Sequence, residues 1–236
     1  MKIIATISPK GGVGKSTLCY SLGKYFHDMG KKVLILDSDT NLSLFNCHED
    51  RVRSAENGMI KELDFATVMT FAPPKTGLER LINSMGEGYD IVIVDTCGAI
   101  TDFHTSLIYL CLLIFIPVTP NKSSIDSALG AAEYIEDAQT QNNGKPVYGL
   151  VKVNFDKAGV ADKQYVRMLE AEDKPTFDTT LYTYGRRYKD AALYGLSITE
   201  LDKVLPKAQA EASAKAAIQM RNFCKECYQI VEQINE

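Results

Sequence analysis

Five short segments of this chain are apolar along nearly their whole length: KIIATIS (2–8), KVLILDSD (32–39), DIVIVDT (90–96), CLLIFIPV (111–118) and PVYGLVKVN (146–154). A strand with one face in water alternates apolar and polar residues. Segments this uniformly rich in Ile, Val and Leu are strands covered on both faces, as in a parallel sheet with helices on either side. The stretches between them agree. Leu18, Leu22, Tyr25, Phe26 and Met29 recur at helical spacing and stop at Gly30, a residue suited to a helix C-terminus. Residues 123–141 read as a second helix, ended by NNG, and residues 206–236 as a long terminal helix with Pro206 in its first turn. The expected fold is α/β, a single doubly wound and mostly parallel sheet flanked by helices, with one domain over residues 1–236. FAPPKTG (71–77) reads as a loop inside that domain, because the strand–helix alternation resumes directly after it.

The stretch SPKGGVGKST (8–17) joins the first strand to the first helix and nearly matches the phosphate-binding pattern G-x-x-x-x-G-K-[ST]. It makes the sheet one of P-loop NTPase type. Gly11, Gly12, Val13 and Gly14 can turn successive backbone N–H groups toward phosphate oxygens, and the helix starting near Lys15 adds its dipole. Lys15 then reaches the β- and γ-phosphates, Ser16 offers its hydroxyl to Mg²⁺, and Thr17 bonds an α-phosphate; the expected cofactors are ATP/ADP and Mg²⁺. Asp95 closes an apolar strand where a Walker-B-type aspartate holds the metal. Asp37 and Asp39 end another strand and point to the same side, toward the phosphate end of the sheet. Asp37 joins Ser16 and Asp95 as a candidate metal ligand or else caps a nearby helix, while Asp39, nearer the loop tip, is the candidate to position an attacking water. Pro9 stands where the pattern has its first glycine, and Lys10 follows it. Lys10 is either a solvated surface charge or a cation offered to a phosphate on another subunit, in the manner of an arginine finger worth about 10³–10⁵ in rate.

PKGGVGKS resembles the loop of the ParA/MinD family of deviant Walker A ATPases, and the similarity continues through VLILDSD, YDIVIVDT, FIPVTPNKSSIDSA, VKVN and RRYKDAALYGLSITELD. The resemblance implies an ATP-dependent homodimer with nucleotide sandwiched between subunits, Lys10 crossing the interface, Asp39 supporting the hydrolytic water and Asn154 contacting adenine. It also implies DNA partition with a ParB-like centromere-binding adaptor and non-specific duplex DNA. Two positions depart from the family pattern, Thr40 in DSDTN and Cys97 in DTCG, and neither removes a catalytic group. A MinD-like membrane switch is the alternative, but KECYQIVEQINE is net acidic and lacks the basic amphipathic character of a membrane anchor. An electron-transfer ATPase with Cys97 ligating a cluster is a third reading, for which Cys111 is the nearest further thiol.

A chain of 236 residues, 45% of them hydrophobic, can bury one full-sized core. Its net charge of −4 excludes the global basic field of a dedicated nucleic-acid binder. DNA contact would need a local patch, with Arg186, Arg187, Lys189, Lys203, Lys207, Lys215 and Arg221 as candidates, although residues 184–236 hold eight Lys or Arg against seven Asp or Glu. The start, MKIIATIS, lacks a charged leader or cleavage site, so the expected location is cytoplasmic, and nucleoid-associated if DNA is bound. The longest apolar run, Leu107–Val118, is shorter than the roughly 20 residues of a membrane span and reads as a buried strand with its approach. The six cysteines read as free thiols; Cys224-x-x-Cys227 lies in a helical pattern without a second pair, and Cys47 with His48 is a weaker signal still.

Overall fold

The computed structural model describes residues 1–60, 64–183 and 186–234, with the side chains of residues 186, 187 and 190 outside that description. In chain order the elements are β1 (Lys2–Thr6), α1 (Lys15–Asp28), β2 (Val33–Asp37), α2 (Ser43–Glu56), β3 (Thr67–Thr70), α3 (Leu78–Met85), β4 (Ile91–Asp95) and α4 (Asp102–Leu110). They continue with β5 (Leu113–Val118), α5 (Lys122–Gln141), β6 (Val147–Phe155), α6 (Val160–Ala171), β7 (Leu181–Tyr182), α7 (Arg186–Tyr194), a 3₁₀ turn at Ile198–Glu200, α8 (Leu201–Val204) and α9 (Lys207–Gln233). The strands form one seven-stranded sheet in the order β3-β2-β4-β1-β5-β6-β7, and every pairing is parallel.

Successive residues of each central strand feed two separate cores. Ile4, Ile35, Ile93 and Phe115 pack under α1 and α9, whereas Ala5, Leu36, Val94 and Ile116 pack under α3, α4 and α5. This two-sided burial explains why those strands carry apolar residues at every position. The run Leu107–Val118 divides: its first four residues form the last turn of α4, and only Leu113–Val118 is strand. Pro206 sits one residue ahead of the terminal helix, as its N-cap, and Gly30 takes the left-handed conformation (φ 79°) that closes α1. The edge strands β3 and β7 are short and partly exposed, so they lack the apolar signature of the centre.

One close approach ties α2 to the segment after α7. Gly195 has φ 63°, and a Cβ there would lie 2.1 Å from the Arg51 nitrogen and 2.4 Å from the Cys47 oxygen. Beside it the Arg51 guanidinium pairs with the Glu200 carboxylate at 2.5 Å, both buried, and Tyr20 donates its hydroxyl to the Gly195 carbonyl at 3.0 Å. Gly195→Ala must push α2 and α7 apart as well as strain the backbone. We expect it to cost about 3 kcal/mol, read by calorimetry as a fall in thermal midpoint of about 6–12 °C for a chain of this size.

Candidate functional site

The C-terminal ends of β1, β4 and β2 meet at one edge of the sheet, where ligands of doubly wound folds bind. β1 runs into the loop 7–14, and α1 starts at Lys15. Gly12 (φ 73°) and Gly14 (φ 96°) both occupy backbone conformations that a side chain would strain, so the loop's wrap depends on them. The Lys15 side chain folds back over this loop, donating from Nζ to the Lys10 carbonyl at 2.9 Å and, at 3.5 Å, to that of Ser8. It is only 6% exposed, and this burial lowers its pKa against the opposing pull of Asp95 and then Asp39. Lys10 Nζ donates to Asn121 Oδ1 at 2.9 Å.

Asp95 and Asp37 are register partners at the ends of β4 and β2, and both are fully buried. Their surroundings differ. Asp37 accepts from the Asp39 nitrogen at 3.1 Å with one oxygen and from the Leu44 and Phe45 nitrogens at 3.1 and 3.0 Å with the other. It thereby caps α2, whose own N-cap residue, Leu42, has no side-chain acceptor to offer. Neither oxygen of Asp95 has a hydrogen-bond partner within 3.5 Å, although the Ser16 hydroxyl and the Cys19 thiol lie beside the carboxylate. Burial pushes the Asp95 carboxyl up to about 7; the neighbouring Ser16 hydroxyl works against this, and the Asp37 charge adds to it. Asp95 is therefore the carboxylate with open oxygens, and a divalent cation beside Ser16 fits it, because the Lys15 charge and the Ser16 hydroxyl offset only part of the cost of burying that anion. Asp39, half-buried in the loop after β2, holds the Asn41 nitrogen and side-chain amide at 2.9 and 3.0 Å.

The loop after β4 presses on the phosphate loop. A Cβ on Gly98 would lie 3.2 Å from the Gly11 nitrogen, and Thr96 ties this loop to the Thr6 carbonyl at 2.7 Å. His104, on the first turn of α4, accepts from the Thr101 nitrogen at 3.2 Å. Its pKa falls to about 4, first through burial and then through the Lys15 charge, so the ring is neutral at physiological pH. Sequence reasoning overlooked His104 and Asn121; the T-x-x-H spacing, a capping-box pattern with His in the place of Glu, could have found the first.

A cavity of about 290 Å³ adjoins the loop, with Gly12, Val13, Gly14 and Thr17 on one side and Asn154, Leu181 and Met220 on the other. Asn154 is held in a left-handed conformation (φ 63°), and the Thr183 hydroxyl sits 2.9 Å from its carbonyl and 2.8 Å from Oδ1. Ser16 and Thr17 also line a smaller cavity of about 160 Å³ between α1, α2 and α7. The candidate loop residues, Asp95, Asp39 and Asn154 thus gather around one edge of the sheet.

Among the basic candidates, Arg221 is committed internally: its guanidinium grips both Asp202 oxygens at 2.7 and 2.6 Å and the Thr199 carbonyl at 2.6 Å. Lys189, Lys203, Lys207 and Lys215 are exposed, and the side chains of Arg186 and Arg187 lie outside the described residues. Cys224 and Cys227 are both fully buried on the core face of α9. No helix among the described residues is long and apolar enough to cross a membrane.

Residues 4–197 match the family model of the CobQ/CobB/MinD/ParA nucleotide binding domain. Protein virC1 of Rhizobium radiobacter is 28% identical over 144 residues, 61% of this chain, and the chain spans only 60% of that curated relative's length. The chromosome-partitioning ATPase Soj of Thermus thermophilus is 22% identical over 229 residues, covering 88% of this chain and 91% of Soj. The solved septum site-determining protein MinD of Pyrococcus horikoshii, complexed with Mg-ADP, superposes with a TM-score of 0.68 at 17% identity, over 100% of this chain and 99% of that one.

Proposed function

Because this chain belongs to the CobQ/CobB/MinD/ParA nucleotide-binding family, we propose that it is an ATPase that closes as a dimer over two ATP molecules and acts in DNA partition. The observation that carries this reading is the buried Asp95 carboxylate, with no hydrogen bond within 3.5 Å, beside a phosphate loop that has a second lysine, Lys10, near its outer edge. ATP or ADP lies along the loop: Gly11, Gly12, Val13 and Gly14 present backbone N–H groups, Lys15 neutralises the β- and γ-oxygens, and Thr17 holds the α-phosphate. Asn154 lines the 290 Å³ cavity, where it would contact the base. Ser16 and Asp95 would hold Mg²⁺, while Asp37 adds negative charge nearby and caps α2. Bound Mg²⁺ supplies charge neutralisation on the phosphate oxygens. Asp39 orients the attacking water, and the partner copy's Lys10 meets the charge that grows on the γ-phosphate.

The Soj relative supports the partition reading, in which a ParB-like adaptor stimulates turnover in the cytoplasm and the ATP dimer rests on nucleoid DNA. Lys189, Lys203, Lys207 and Lys215 are the basic candidates whose described side chains are exposed and available for phosphate contacts. DNA held this way loses affinity with a slope of about −0.9 in log K against log salt for each contact. The MinD likeness raises a membrane alternative. Against it, α9 already buries Cys227 and Val231, so its apolar face is occupied almost to its end.

Light scattering with and without ATP·Mg²⁺ tests the proposal. Wild type should pass from monomer to dimer and back as ATP is consumed. Asp39→Ala should remain a dimer, with hydrolysis slowed by about 10²–10⁴-fold. A wild-type chain that stays monomeric at saturating ATP overturns the reading.

A further inference from the structure

We propose that Asn121 is a latch that holds Lys10 within its own subunit until nucleotide arrives; this rests on the reading that Lys10 acts across a dimer interface. Lys10 is not a free surface charge. Its ammonium sits 2.9 Å from Asn121 Oδ1, at the start of α5, the helix that follows the neighbouring strand β5. The amide of Asn121 is locked in orientation. Its Nδ2 donates to Thr119 Oγ1 at 2.9 Å, and Oδ1, besides receiving Lys10, accepts from the Ser124 nitrogen at 2.9 Å as the N-cap of α5. The lone-pair side of the amide therefore faces Lys10, and the amide cannot turn without uncapping the helix.

A second bond couples this latch to the phosphate site. Lys15, the lysine that binds the chain's own nucleotide, donates from Nζ to the carbonyl of Lys10 at 2.9 Å. A triphosphate is a far better partner for that ammonium than a carbonyl. Once Lys15 turns to phosphate, the Lys10 carbonyl loses its donor and the backbone that positions the Lys10 side chain is no longer pinned from within. Opening then proceeds in order: phosphate takes Lys15, the residue 10 backbone relaxes, and Lys10 exchanges Asn121 for a γ-phosphate on the other subunit. Asn121 is thus a positioning residue acting through Lys10. It opposes dimer closure in the absence of nucleotide, and the assembly threshold depends on how firmly it holds.

The test measures the dimer dissociation constant by sedimentation or light scattering at saturating non-hydrolysable ATP analogue and Mg²⁺, for wild type, Asn121→Ser, Asn121→Asp and Lys10→Ala. Serine and aspartate both cap helices well, so α5 is preserved and thermal midpoints should stay close to wild type. Serine is too short to keep Lys10, whereas aspartate turns the contact into an ion pair. Two latches open per dimer, so a factor of about three to ten at each multiplies to about 10–100-fold. Asn121→Ser should tighten the dimer by that factor and Asn121→Asp should loosen it. The opposite signs are the decisive readout, because a merely structural role for Asn121 moves both variants the same way. Shifts of the same sign, or none, overturn the latch. Lys10→Ala separates the two ideas. If it dimerises like wild type, the crossing lysine and the latch fall together; if it stays monomeric while both Asn121 variants match wild type, only the latch falls.

Discussion

Lys10→Ala should bind ATP nearly as well as wild type yet turn it over about a thousandfold more slowly, a loss of about 4 kcal/mol in the transition state. The two halves of this result have separate causes. Affinity in one subunit comes from local groups: Lys15, the backbone of residues 11–14 and the cavity walls around Asn154. Removing Lys10 leaves all of these in place, so the dissociation constant for a fluorescent ATP analogue should move by less than about threefold, under 1 kcal/mol. Rate depends on charge that grows on the γ-phosphate as the bond breaks, and a cation delivered into a closed, water-poor interface opposes that charge far more strongly than one in solvent. Lys15→Ala should do the reverse, losing nucleotide before any question of rate arises. Single-turnover hydrolysis and nucleotide titration on the two variants check both halves. A Lys10→Ala chain with turnover within about threefold of wild type would remove the crossing cation from the mechanism.

Asp95→Asn should damage turnover and stabilise the empty protein, and the two effects should separate with pH. In the folded chain the Asp95 carboxyl is pushed up to about 7 from an ordinary 3.8, mainly by burial. The folded chain therefore holds a proton that the unfolded chain has released between roughly pH 4 and 7. Stability contributed by this group is complete below about pH 4, falls as pH rises through that window, and is fully lost above about 7. At pH 8 the wild type carries a buried charge that its neighbours compensate only in part, and asparagine removes it at nearly constant volume. The expected gain is about 2–4 kcal/mol at pH 8, shrinking toward zero by pH 4, seen as a thermal midpoint higher by about 4–16 °C for a chain of this size. With ATP and Mg²⁺ the order should reverse, since only the wild type offers an anionic oxygen to the cation, and Mg²⁺-dependent turnover should fall by about 10²–10³-fold. Empty Asp95→Asn melting below wild type at pH 8 would mean that the carboxylate is already compensated.

These two residues also mark where reading the chain succeeds and where it stops. Asp95 was legible because an aspartate closing a five-residue apolar strand is a local pattern, and burial on both faces is written into consecutive residues. Asp37 closes β2 in the same way, so sequence alone left it between ligand and helix cap. Only the return of the Leu44 and Phe45 nitrogens over its carboxylate gives it the cap. Arg221 looked like one of several cations on an exposed helix until Asp202 was found clamped across it. Lys10 invited two readings, solvated or donated, and the fold adds a third state, bound within its own subunit to a residue 111 positions away.

The amino-acid sequence by itself determined the parallel doubly wound sheet, the phosphate loop and its following helix, and the carboxylates that end β2 and β4. Each of these depends on spacing over a few residues, through strand alternation, helical periodicity or the conformational freedom of Gly12 and Gly14. The folded structure alone decided which carboxylate keeps open oxygens, which cations are already paired, and what holds Lys10. Those outcomes depend on hydrogen bonds between segments far apart in the chain, and such bonds leave no periodic trace along it.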